Sequence, residues 1–153
     1  MRRKSFLYML SSLLVILLSS AAAGADAGIQ WRDYEEGMAI GERDGKKIFL
    51  HFYADWCSVC ERLRTTTFKD PAVVAYLNEH FVPIYVNSDE NRKVAQRYFV
   101  RALPTTWFLT DTGENISNLP GYVEAATLLN ILKYIQSDSY RSKSFKSFLD
   151  QRS

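Results

Sequence analysis

Ala54-Asp55-Trp56-Cys57-Ser58-Val59-Cys60 is the stretch on which the reading of this chain turns. It sets two thiols three positions apart where an apolar run stops, and these are the only two cysteines in the protein. On the first turn of a helix, positions i and i+3 are neighbours. Their Cα atoms then fall within the roughly 4.4–6.8 Å that a disulfide tolerates. The pair can close into a ring and reopen with little movement of the backbone. A redox switch and a passive staple both fit that spacing.

Immediately upstream, Lys47 to Ala54 carries Ile48, Phe49, Leu50, Phe52 and Tyr53 almost without interruption, as expected for a strand buried on both faces. Further back, Trp31, Tyr34 and Met38 at i, i+3 and i+7 predict an amphipathic helix over Ile29 to Arg43, ended by Asp44-Gly45. Downstream, one helix begins near Cys57. Asp70 as N-cap and Pro71 at the first helical position start another that runs to about Glu79. Val82 to Val86 reads as a strand and Asp89 to Tyr98 as a short helix. Thr105 to Leu109 is β-branched and aromatic, hence strand. Asn115 to Leu119 pairs with it across the turn Asp111-Thr112-Gly113. Val123 to Ile135 closes the domain as a helix with Leu128, Ile131, Leu132 and Ile135 facing inward. This order predicts an α/β fold, a mixed central sheet flanked by helices on both faces. From Ser137 the chain is polar and Ser-rich, with Phe145, Phe148 and Leu149 as a weak apolar set. Residues 137–153 therefore read as a frayed or loosely docked tail, with a partner-binding helix as the other reading.

At 153 residues and 47% apolar content there is room for one ordinary domain with a real core. The first 25 residues have the pattern of an export signal. Arg2, Arg3 and Lys4 are followed by an apolar run from Phe6 to Leu18 and a small-residue site at Ala23-Gly24-Ala25. That run is 13 residues, short against the about 20 needed to span a bilayer; an uncleaved signal anchor is the rival reading. No cysteine near the cleavage site offers a lipid anchor. Cleavage near Ala25 leaves 16 basic against 17 acidic residues from the whole chain's 19 and 17, a formal −1. The basic balance of the full chain is thus no signal for nucleic acid. The expected location is periplasmic or otherwise exported, where disulfides persist, with residues 26–136 as the folded domain.

The stretch Phe52 to Cys60, then Tyr98-Phe99-Val100-Arg101-Ala102-Leu103-Pro104-Thr105, then Gly121 before the last helix, together resemble the thioredoxin superfamily. The resemblance covers about Lys47 to Ile135 and implies a thioredoxin fold. Within it, Tyr53-Ala54-Asp55-Trp56-Cys57 and Thr67-Phe68-Lys69-Asp70-Pro71 look like the exported domains related to the C-terminal domain of the membrane thiol–disulfide interchange reductase. Two departures stand out. Ser-Val separates the cysteines where the best-known thioredoxins have Gly-Pro. The buried acid of the family aligns with His51, and the lysine that often accompanies it aligns with Tyr85.

Only a thiolate attacks a disulfide, and a helix N-terminus favours negative charge. Cys57 is expected as the nucleophile and Cys60 as the resolving thiol, with no metal and no organic cofactor. A structural disulfide across so small a loop gains little entropy, and a zinc site lacks ligands, since His51 and His80 are the only histidines. By strand alternation His51 shares a face with Phe49 and Tyr53. The resemblance points it beneath the motif, towards Cys60, where a neutral imidazole accepts the Cys60 proton; a core histidine is the bland alternative. The resemblance also implies that the Leu103–Pro104 bond is cis, faces the cysteines and offers backbone to an extended substrate segment. Trp56 and Asp55 are expected at the rim, Trp56 with a core position as the alternative. The partners implied are protein disulfides and a membrane thiol reductase as electron donor, with the protein a monomer. The competing functions are a dithiol oxidase for folding clients and a non-catalytic binding module. The 43 residues between Cys60 and Pro104 leave little room for the inserted helical domain of the usual oxidase.

Overall fold

In the computed structural model, which describes residues 28–151, the apolar run ahead of the cysteines is a central strand, β1 (Ile48–Tyr53). It pairs in parallel with β2 (Val82–Asn87) and antiparallel with β3 (Thr105–Leu109). β3 pairs antiparallel with β4 (Asn115–Pro120), giving a mixed sheet of order β2-β1-β3-β4. Five of the six β1 residues are buried because helices cover both faces. Alternation sends Ile48, Leu50 and Phe52 to one cluster, with α1 (Tyr34–Asp44) and α4 (Arg92–Arg97). It sends Phe49 to the other, with α3 (Pro71–His80) and α5 (Ala125–Gln136). Each fully buried Phe or Leu contributes about 1.5–3 kcal/mol.

Local chemistry sets the boundaries. Gly45 ends α1 in the left-handed region at φ 64°, which glycine adopts without a Cβ penalty. α2 (Ser58–Thr65) starts immediately after Cys57. A 3-10 turn at Thr67–Lys69 then leads to Asp70, whose Oδ1 accepts from the backbone N–H groups of Ala72 (2.9 Å) and Val73 (3.1 Å). A cap of this kind contributes about 1 kcal/mol. No helix among the described residues is long and apolar enough to cross a membrane. The expected export signal, residues 1–25, lies outside the described residues.

Two expectations need correcting. The first helix starts at Tyr34, not Ile29. Trp31 lies in an extended segment whose neighbour Arg32 bridges Ile84, with Arg32 N–H donating to Pro83 O at 2.9 Å and Arg32 O accepting from Tyr85 N–H at 3.2 Å. Trp31 packs on Tyr85 and Phe68, whereas Tyr34 packs with Tyr98 on the opposite face of the sheet. One helix face cannot serve both. α4 starts at Arg92 rather than Asp89, because Asn87 holds a turn: its Oδ1 accepts from Asp89 N–H and its backbone O from Asn91 N–H. Of the two forms expected for the polar tail, frayed or loosely docked, the structure has the docked one. It forms a 3-10 turn at Ser139–Arg141 and α6 (Phe145–Asp150), with Ser144 capping Ser147 N–H. Phe148 is buried beside Tyr134, whose hydroxyl donates to Lys143 O at 2.6 Å.

Candidate redox site

Cys57 occupies the N-cap of α2, and a disulfide joins it to Cys60 with their Cα atoms 5.2 Å apart. The backbone around it is pinned at both ends. Cys57 N–H donates to Ala54 O, Glu61 N–H to Cys57 O, and Cys60 N–H to Cys57 Sγ at 3.1 Å. The last contact matters chemically, since an N–H of the first helical turn without an intrahelical acceptor is aimed at Cys57 Sγ, where it favours negative charge. Cys57 is 6% exposed and Cys60 3%. The two residues are thus almost equally buried.

Leu103 packs on the cysteine pair, and the Leu103–Pro104 peptide bond is cis. Pro104 O accepts from Gly121 N–H at 2.8 Å, which ties the proline loop to the end of β4. Trp56 is 73% exposed and belongs to the rim, not the core. Its indole N–H donates to Asp89 Oδ2 at 2.8 Å. Asp55 Oδ2 accepts from Asn87 Nδ2 at 3.3 Å, and Ser88 N–H donates to Tyr53 O. The turn that misplaced the start of α4 is thus the strut that holds the Asp55-Trp56 rim.

His51 is fully buried on β1. Its Nδ1 bonds Thr106 Oγ1 at 2.8 Å, and Nε2 has no partner among the described residues. Its ring stacks on Tyr85 and meets Phe68 edge-on. Burial pushes its pKa down to about 3. A group that stays neutral to that acidity is a weak proton acceptor. His51 also does not line the cleft that reaches Cys60.

That cleft, about 270 Å³, runs beside the disulfide between Tyr53, Tyr85, Asp55, Glu61 and Arg64. The rings of Tyr53 and Tyr85 stack at 4.0 Å, so Tyr85 stands between His51 and the open space. Burial pushes the Tyr85 hydroxyl up to about 12. Arg64 holds Glu61 through paired hydrogen bonds of 2.7 and 2.6 Å, which lowers the Glu61 pKa. Sequence reasoning gave no role to Tyr53, Glu61, Arg64 or Asp89. The i, i+3 spacing of Glu61 and Arg64 was a readable signal for their ion pair; their nearness to Tyr85 was not.

A thioredoxin-like domain family matches residues 34–136. The thiol:disulfide interchange protein DsbD of Vibrio vulnificus is 32% identical over 111 residues, covering 69% of this chain and 18% of that protein. The DsbD of Actinobacillus pleuropneumoniae is 35% identical over 96 residues, covering 60% and 16%. The chain thus spans under a fifth of the length of these curated relatives. The solution structure of a thioredoxin from Thermus thermophilus aligns with TM-score 0.65 and 27% identity, covering 71% of this chain and 88% of that one. Fold and cysteine pair together define a thiol–disulfide oxidoreductase. The chain belongs to the thioredoxin-like family.

Proposed function

We propose that this protein is an exported thiol–disulfide oxidoreductase of the reductase or interchange type, working on protein disulfides. The observation that carries the reading is the Cys57–Cys60 pair at the start of α2, with a backbone N–H on Cys57 Sγ and the cis Pro104 loop against it. Cys57 thiolate attacks one sulfur of a substrate disulfide, forming a mixed disulfide and releasing one substrate thiolate. Cys60 gives up its proton and attacks Cys57 Sγ. The Cys57–Cys60 bond closes and the second substrate thiolate leaves. Two electrons pass to the substrate, and its two sulfurs take up two protons. We assign the Cys60 proton to water in the cleft, with His51 as a neutral core group bonded to Thr106. Trp56, Leu103 and Pro104 form the surface on which a substrate segment lies.

Export is supported by the pattern of residues 1–25. The interchange direction is supported by similarity to DsbD over the matched region. A membrane thiol reductase is the electron donor that this direction requires. Equilibrating the protein with glutathione buffers tests the direction: a potential well below that of the glutathione pool is expected, and one above it makes the protein an oxidase. Alkylation of the reduced protein at mild acidity tests the roles. Cys57 is expected to be labelled first, and equal labelling of Cys60 would sink the assignment.

A further inference from the structure

Phe99 is an odd residue for its place. It follows α4 at φ 51°, in the left-handed region, yet its side chain is 77% exposed. Its backbone is pinned there by Phe99 N–H to Gln96 O and Val100 N–H to Ala95 O, both 3.0 Å. That is the helix-ending arrangement in which glycine is favoured. A bulky residue in this conformation carries a backbone penalty, and an exposed side chain recovers none of it by packing. Strained backbone positions cluster at active sites and ligand clamps.

The surroundings say what. Phe99, Arg101 and Ala102 form one wall of a groove, about 180 Å³, whose other side is Trp107 and Pro120. Ala102 and Thr105, on either side of Leu103 and Pro104, both line the groove, and Leu103 packs on the cysteine cluster, so the groove borders the cis-proline loop. Arg101 is exposed and makes no ion pair among the described residues. The groove thus offers a large aromatic surface beside an uncommitted cation.

We propose that Phe99 and Arg101 form a second docking subsite for protein disulfide partners, taking an apolar side chain next to a carboxylate in the segment that continues past the cis proline. This rests on the thiol–disulfide reading above and adds a specificity determinant to it. Phe99 supplies apolar contact area that a glycine at the same place cannot, and Arg101 selects for an acidic neighbour.

The test uses the symmetric nonapeptide Glu-Leu-Gly-Gly-Cys-Gly-Gly-Leu-Glu as its disulfide-linked dimer, beside a version with Gln and Ser replacing Glu and Leu. Rates of reduction by the reduced protein are taken relative to oxidised glutathione. The Glu-Leu peptide is expected to be favoured about tenfold, equivalent to about 1.4 kcal/mol. The preference should fall to near unity in Phe99→Gly with Arg101→Gln and survive in Phe99→Trp. Phe99→Gly should also melt a few degrees higher, since it relieves the backbone. No preference, or one that survives the double substitution, overturns the proposal. An independent arm titrates the oxidised protein with the same peptide carrying Ser for Cys and follows backbone amide signals by NMR. Shifts centred on Phe99 and Arg101 at millimolar peptide are expected; their absence overturns the subsite. That arm needs no exchange chemistry, so failure to reduce any disulfide would count against the function and not against the subsite.

Discussion

The two faces of β1 carry different kinds of residue and serve different ends. Ile48, Leu50 and Phe52 point into a cluster with Ile84, Val86 and Leu109, and contribute no polar group to it. The hydroxyls of Tyr34 and Tyr98 at its edge bond each other at 3.1 Å. On the other face, Phe49, His51 and Tyr53 pass from a sealed core to the cleft beside the disulfide. There one ring nitrogen of His51 is left without a partner among the described residues. Neighbouring positions on one strand thus divide the work. One face supplies stability, while the other gives up some of it to bring polar and aromatic groups beneath the redox pair.

Cys57→Ser separates the faces most sharply. Insulin reduction with dithiothreitol should fall to the rate of dithiothreitol alone, while the fold persists. Leu50→Ala does the opposite: it should cost about 2–5 kcal/mol in urea unfolding and leave the exchange rate of the folded protein within about twofold. A large rate change there would show that the faces are coupled.

His51 gives a pH test. Its pKa in the folded state, about 3, lies below the value of about 6.5 expected in the unfolded chain. Below pH 6.5 the unfolded state takes up a proton that the folded state refuses, so stability falls as pH drops towards 3. Between pH 6.5 and 4 this amounts to about 3 kcal/mol, and His51→Phe should remove that slope from the unfolding curve. The pH dependence of the resolving step should survive the substitution; if it vanishes, His51 handles the Cys60 proton after all. The smallest effect is expected from Asp89→Asn, which weakens the anchor of an exposed indole. Stability should change by less than about 1 kcal/mol, with the change visible in Trp56 fluorescence.

Much of this was legible in the linear chain because the signals are local. The apolar density of β1, the Asp70-Pro71 start of α3 and Gly45 after α1 each act within a few residues. Trp31 was misread for the same reason: its spacing to Tyr34 fits a helix, but the two rings serve opposite faces of a sheet. The docking of the tail was not legible, because Phe148 is buried only once Tyr134 of α5 stands beside it.

The i, i+3 cysteines and the helix that begins at them were matters of spacing, since covalent reach and helix geometry act over short distances, whereas the place of Pro104 was implied only by the family resemblance. The environment of His51 was decided only when β1, β2 and β3 came together. Burial and the company of Thr106 and Tyr85 on neighbouring strands and of Phe68 in the 3-10 turn depend on segments far apart in the chain, and these set whether an imidazole carries charge. Likewise the strut from Asp89 to Trp56 and the open groove at Phe99 exist only because distant loops meet at one end of the sheet.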